Sequence, residues 1–316
     1  MPTRNAGRAC DHRGIRFSLW ASLSNPWADV LDGARHAERT GWDGVYVADH
    51  FMADVPGPFP PDTPNLEATA AVAALAAATE RVRLATLVFG ITYRHPAVLA
   101  KWAATTDHVS GGRLLLGLGA GWQENEHAQY GIRLGPPGER VERFEEALQV
   151  VRGLLDDDVT TVAGEHYTVT DAIAWPKPVQ ERLPILIGAK GPRMLGLVAR
   201  YADEWNMWSS PALLAEHRAV LDQKCEAIGR DPGEIATSTQ ALVFVLDDDA
   251  KAEELEGAMG ERPCVAGTPA RIAEWVAQWR DVGVDELIIP DFTLGTGSQR
   301  ADALDTIIER VAPGFR

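Results

Sequence analysis

The stretch RLLLGLGAGW, Arg113–Trp122, decides the fold. An apolar run of this length that ends in glycines reads as a strand buried on both faces. Two architectures use such a strand: the dinucleotide-binding sheet and the closed parallel barrel. The first requires GxGxxG and an acid at the end of a second strand about 20 residues on. Here Gly117, Gly119 and Gly121 are spaced GxGxG, and the segment at that distance is the charged helix ERVERFEE (139–146). The stretch is therefore a barrel strand that runs into a glycine-rich loop.

Working outward, the same strand type recurs on both sides. IRFSLW (15–20), GVYVA (44–48) and VRLATLVF (82–89) precede it; PILIGA (184–189), DEWNMW (203–208), ATSTQALVFVL (236–246) and DELIIP (285–290) follow. Helical segments lie between them at 26–41, 66–79, 96–109, 138–155, 192–202, 211–228, 268–283 and 299–311. Several open on proline or close on glycine. In the longest, Val141, Phe144, Leu148, Val151 and Leu155 recur at steps of three and four and share one face. TTVAGEHYTVTDAIA (160–174) reads as a β-hairpin turning at Gly164, an insertion in the pattern. Eight mostly apolar strands alternating with helices imply an α/β fold, a (β/α)8 TIM barrel with insertions. No Pro/Gly/Ser linker divides the chain, so residues 14–316 form one domain behind a flexible polar leader, 1–13.

The chain has 316 residues, 46% of them apolar, and a formal net charge of −15. An acidic chain of this kind is a poor partner for nucleic acid or an anionic membrane, both of which need basic surface, so a small-molecule substrate is expected. Cys10, Cys225 and Cys264 are odd in number and far apart, which fits a reducing cytoplasm and neither a disulfide framework nor a zinc site. No apolar run reaches the roughly 18 to 20 residues of a membrane span. The eight histidines contain no HxH or HExxH pair, so no metal is expected, and no GxSxG marks a serine nucleophile.

In a parallel barrel, chemistry gathers at the C-terminal ends of the strands. The second strand runs into Val47-Ala48-Asp49-His50-Phe51, which places an acid and an imidazole there, and the Pro-rich segment 56–64 then reads as a semi-rigid lid. Other strands end in GITYRHP, GAGWQENE, GAKGP, WNMW and Pro290-Asp291. Gly188, Lys190 and Gly191, just before a helix, suit a phosphate, because backbone amides and a helix N-terminus favour an anion. Plainer roles compete. Asp49 is as well suited to holding loop amides as to touching a ligand, and His95 before Pro96 reads as a helix cap. Glu124 and Glu126 read as the solvated first turn of a helix. Trp102, Trp275 and Trp279 read as core or interface.

GWDGVYVADHF, TYRHPAVLAKWAATTDHVSGGRLLLGLGAGWQENEHAQYGI, PILIGAKGPRMLGLVARYADEWN and VAGTPARIAEWVAQWRDVGVDELII together resemble the bacterial luciferase-like oxidoreductases, and most nearly the branch that uses the deazaflavin coenzyme F420. The resemblance covers roughly 15–311. It implies a luciferase-like barrel with a flavin or deazaflavin at its C-terminal mouth, and hydride transfer through the ring. By the same resemblance, Asp49 and His50 lie beside the ring, with His50 as proton donor or acceptor. The resemblance also implies a non-prolyl cis peptide at Leu87-Val88, behind the ring. Gly90, Gly121 and Asn125 approach the ring and its side chain, and Gly188, Ala189, Lys190 and Gly191 surround the phosphate. Trp122 stands where some relatives place a catalytic glutamate, and here it shapes the pocket.

The expected function is an F420-dependent oxidoreductase that passes a hydride between F420 and a small organic substrate, with His50 as acid/base. The alternatives are an FMN-dependent monooxygenase of the same fold and a non-catalytic ligand-binding barrel. The polyglutamate tail of F420 favours a basic rim, for which Arg94, Lys190 and Arg193 are the candidates. The family resemblance also implies a homodimer.

Overall fold

The computed structural model describes residues 14–54, 57, 60–259 and 262–316. The predicted leader at 1–13 and part of the predicted lid (residues 56, 58 and 59) lie outside them. The barrel strands are β1 (Arg16–Trp20), β2 (Gly44–Val47), β3 (Arg83–Thr86) continued by the short β4 (Phe89–Gly90), β5 (Leu114–Gly119), β8 (Ile185–Gly188), β9 (Glu204–Asn206), β10 (Ala236–Gln240) and β13 (Glu286–Pro290). Each pairs in parallel with its sequence neighbour in the ring, and β1 closes on β13 with Arg16 opposite Glu286. The eight-stranded parallel barrel expected from the sequence is thus the fold.

The helices outside the ring are α1 (Trp27–Thr40), α2 (Ala68–Ala78), α3 (Pro96–Ser110), α5 (Pro137–Asp156), α6 (Pro192–Tyr201), α7 (Pro211–Ala227), α9 (Pro269–Asp281) and α10 (Ser298–Thr306), with the short α4 (Glu124–Gln129) in the loop after β5. Their apolar faces bury against the outward side chains of the strands, which explains why most strands read as apolar throughout. Of the stripe predicted on α5, Phe144, Leu148, Val151 and Leu155 are buried and Val141 packs at its edge. Trp279 is fully buried, while Trp102 and Trp275 pack against the core from its margin.

Inside the ring, residues alternate by the strand period of two. Arg16, Arg83, Glu204 and Glu286 close the N-terminal end, where Glu286 is 0% exposed and accepts from Ser18 Oγ at 2.5 Å and Arg16 at 3.0 Å. Burial pushes Glu286 up, but Arg83 and Arg16 outweigh it and hold the carboxyl below the ordinary range. Burial pushes Glu204 up, and net it stays raised. Above this ionic floor sits an apolar layer that includes Tyr46, Ala85, Leu115, Leu186 and Ile288.

Three insertions decorate the barrel. The predicted hairpin forms as β6 (Thr160–Ala163) and β7 (Thr168–Ala172). The seventh predicted strand is divided at Ala241: β10 stays in the ring, while β11 (Leu242–Val245) leaves it and pairs with β12 (Cys264–Gly267), beside α8 (Ala252–Ala258). Neither β12 nor α8 was read from the sequence. An apolar run is buried on both faces in either location, so its periodicity does not report which sheet it joins. The third is the interruption between β3 and β4 at the cis peptide Leu87-Val88. Here β5 runs close against the neighbouring strand. A Cβ on Gly117 would lie 1.8 Å from Thr86 O, and one on Gly119 2.6 Å from Val88 Cγ2. These glycines admit the neighbouring strand rather than a pyrophosphate.

Candidate functional site

The C-terminal mouth of the barrel holds a cavity of ≈ 400 Å³. Its residues come from the ends of β2, β4, β5, β8, β9 and β10, so no single segment makes the site. His50, Asp49 and Trp122 all line it, as do Leu87, Val88, Gly90 and Gly121. Gly188, Ala189 and Lys190 line its β8 side.

The central group is His50. Its Nδ1 lies 2.8 Å from Glu126 Oε1. Glu126 is 0% exposed, and its Oε2 accepts from the amide of Phe51 at 2.8 Å. Tyr93 donates its hydroxyl to the same Oε1. Burial raises Glu126, yet the hydrogen bonds from His50, Tyr93 and Phe51 outweigh it and hold the carboxyl below the ordinary range. Burial and the adjacent carboxylate push the Tyr93 phenol far above its usual value, so it stays protonated and donates. An anionic Glu126 accepts a hydrogen bond from Nδ1–H, which leaves Nε2 as the ring nitrogen with a free lone pair in the neutral imidazole. Among the described residues nothing bonds to that nitrogen. Trp122 meets the imidazole edge-on with 5.5 Å between centroids and is 57% exposed, so it walls the mouth.

Glu126 is the principal correction to the sequence reading, which placed it in a solvated helix turn. Only Glu124 of that pair faces solvent; one turn of α4 carries Glu126 inward, beneath the loop after β2. Tyr93 and Gln240 were likewise not singled out. Their signal was strand-end position alone, which they share with residues that do nothing.

Asp49 is buried at 2% exposure and accepts a bidentate pair from Arg94 at 2.7 and 2.9 Å, and the amide of Gly90 at 3.1 Å. Burial nevertheless raises its carboxyl above the ordinary range. With both oxygens engaged, Asp49 braces β2 to β4 beneath the imidazole. Arg94 also pairs with Glu67 and lies over the rings of Phe51 and Phe89, so it is not the free rim cation expected. Asn125 also departs from expectation. Its amide donates to Ala53 O at 2.8 Å, which ties it to the loop after β2, and it is not among the residues that line the cavity. Gly191 lies outside the lining as well, exposed as the cap of α6. His95 accepts from Ala97 N and caps α3.

The residues fit a flat heteroaromatic ring with a phosphate-bearing tail. Gly119 and Gly188 let the Val88 side chain pack against them, 2.6 and 3.3 Å from where a Cβ would stand, and all three residues line the cavity. The loop from Gly188 to Gly191 is held by Trp205 Nε1 donating to Ala189 O at 2.9 Å, and α6 starts there with no side chain capping its amides. At the ends of the neighbouring strands β9 and β10, Trp208 Nε1 and Gln240 Oε1 are buried with no hydrogen-bond partner among the described residues.

Residues 13–256 match the family model described as luciferase-like monooxygenase. An uncharacterised protein of Mycobacterium tuberculosis is 29% identical over 311 residues, covering 94% of this chain and 98% of that one. An F420-dependent glucose-6-phosphate dehydrogenase of Microbacterium testaceum is 33% identical over 233 residues, 72% of this chain and 67% of that enzyme. In fold, the chain superposes on an F420-dependent secondary alcohol dehydrogenase with a TM-score of 0.84 at 22% identity, covering 96% of this chain and 99% of that one. A monooxygenase of Streptomyces bottropensis gives 0.78 at 21%, covering 96% and 100%. With the model matched across most of the barrel, the chain belongs to the luciferase-like monooxygenase family.

Proposed function

We propose that this chain is an F420-dependent oxidoreductase that transfers a hydride between coenzyme F420 and a small organic substrate, with His50 as the acid/base. The observation that carries this reading is the Glu126–His50 pair at the cavity wall. When bound, the coenzyme supplies or accepts the hydride. The chain's part is to position the reactants and manage one proton. In the reducing direction the substrate carbon gains the hydride and its oxygen gains a proton from His50. In the oxidising direction Nε2 accepts that proton as the hydride leaves, and anionic Glu126 stabilises the imidazolium that results. Trp122 and Met194 line the cavity with apolar surface, which disfavours water beside the reacting atoms. Relatives named for F420 support the cofactor, and the Gly188–Lys190 loop supports an anionic tail.

A second reading is an FMN-dependent monooxygenase. It is favoured by the loss of Arg94 from the rim, which leaves Lys190 and Arg193 for an acidic tail, and Arg193 itself pairs with Glu142 at 3.2 Å. Parallel fluorescence titrations with F420 and FMN test the choice. Tight F420 and weak FMN binding is expected, and the reverse order would replace the first reading by the second. We also propose a homodimer, read by analytical ultracentrifugation as a single species of twice the chain mass.

A further inference from the structure

One oxygen of Glu126 serves two side-chain donors. Its Oε1 lies 2.8 Å from His50 Nδ1 and also accepts the hydroxyl of Tyr93, while Oε2 accepts the amide of Phe51 at 2.8 Å. The residues come from three places in the fold: His50 from the loop after β2, Tyr93 from the turn after β4, and Glu126 from α4.

The position of the phenol is fixed from several sides. Its ring centroid lies 4.7 Å from that of Phe51 and 4.8 Å from that of His127. His127 is itself held by Thr92 Oγ1 at 2.8 Å and by Gln123 O at 2.6 Å. A Cβ on Gly90 would stand 2.7 Å from the Tyr93 ring, so that glycine leaves the room the ring occupies. Tyr93 lines the cavity together with His50. A buried phenol hydroxyl needs some acceptor. Here it takes the one oxygen that also orients the imidazole.

Two donors on one oxygen draw on the same charge, so each is bonded less strongly than it would be alone. The consequence for His50 is twofold. A carboxylate already holding donors from His50, Tyr93 and Phe51 is a weak base, so the Nδ1 proton stays on the ring. The imidazolium formed when Nε2 takes a proton is also held less tightly than by an unshared carboxylate, so the proton can be returned. The other ionisable groups nearby do not replace Tyr93. Asp49 is occupied by Arg94, and His127 by Thr92 and Gln123. Tyr130 packs on Phe51 and Lys190 lines the cavity, and among the described residues neither bonds to Glu126.

Resting on the reading above of His50 as the acid/base, we propose that Tyr93 is a positioning residue for that histidine. Its hydroxyl shares the Glu126 oxygen that orients the imidazole and so keeps His50 a reversible proton carrier.

Two measurements on the cofactor-free chain test this. Long-range proton–nitrogen NMR correlation on isotopically labelled protein reads both ring nitrogens of His50, whose signals are those missing from His50→Asn. At mildly alkaline pH the wild type should show a protonated Nδ1 and a bare Nε2. Tyr93→Phe keeps the ring and removes the donor, so the Nδ1 signal should move downfield, toward a stronger bond to Glu126. Tyr93→3-fluorotyrosine, a more acidic phenol of nearly the same shape, should move it upfield. Nε2 should also react with diethyl pyrocarbonate about 2- to 5-fold faster in Tyr93→Phe, read by mass spectrometry of the His50 peptide. A bare Nδ1 in the wild type would overturn the proposal. So would a signal that stays put or moves the other way in either protein, or an unchanged reaction rate. If Tyr93→Phe does not fold, the fluorotyrosine protein decides. Titration of the same samples with F420 keeps the two questions apart: the expected shifts without F420 binding would remove the cofactor assignment and leave Tyr93 its role.

Discussion

Glu126 Oε1 lies 2.8 Å from His50 Nδ1, a contact between residues 76 positions apart that joins α4 to the loop after β2. The carboxylate is fully enclosed and receives three donors, so its charge is fixed in place and the tautomer of the imidazole with it.

If His50 moves the proton, His50→Asn should lower the hydride-transfer rate by about 10²- to 10⁴-fold and leave the F420 affinity within a few fold. Stopped-flow absorbance of the coenzyme and a separate binding titration read the two quantities. An unchanged rate would remove His50 from the chemistry.

Glu126→Gln keeps the shape of the side chain and removes the charge that orders the imidazole. The expected cost is about 10- to 100-fold in rate, with little change in coenzyme binding. The same variant tests a pH dependence. A carboxyl held below its ordinary value of 4.5 stabilises the fold above that value, and the contribution disappears as the pH falls through its lower folded value. Below pH 4.5, wild-type stability should therefore decline more steeply than that of Glu126→Gln, as urea denaturation at a series of pH values would show.

Arg94→Met would strand Asp49 as a buried charge without its bidentate partner. A loss of about 3–5 kcal/mol is expected, measured by urea denaturation. The double variant Arg94→Met/Asp49→Asn should recover much of it, because no uncompensated charge remains. Simple additivity of the two changes would show that the pair does not act as a brace.

Gly117→Ala places a methyl group 1.8 Å from a backbone oxygen of the adjacent strand. Neither strand can yield within a closed ring, so a loss of at least about 3 kcal/mol or failure to fold is expected. Gly196→Ala is the control. Nothing lies within 4 Å of its added methyl, and inside α6 it should be neutral or stabilising by about 0.5–1 kcal/mol. Thermal melting of the two variants reads the contrast.

The sequence by itself determined the barrel, because eight apolar runs alternating with amphipathic helices have few ways to bury every strand on both faces. It also determined that Asp49, His50 and Trp122 stand at the mouth, since a residue at the end of a barrel strand is placed there by the strand. What the runs could not carry is which long-range partner each group meets. Val243 and Phe244 are as apolar in a side sheet as in the ring, and Glu126 has the local surroundings of an exposed first helical turn. Only the packing of α4 under the β2 loop turned that glutamate inward and tied Asn125 to Ala53. Only the closing of the ring tied Arg94 to Asp49 and left Trp208 and Gln240 facing the cavity. Strand and helix periods are local properties of the chain, whereas burial of a charge and the pairing of a donor are decided by atoms many residues away.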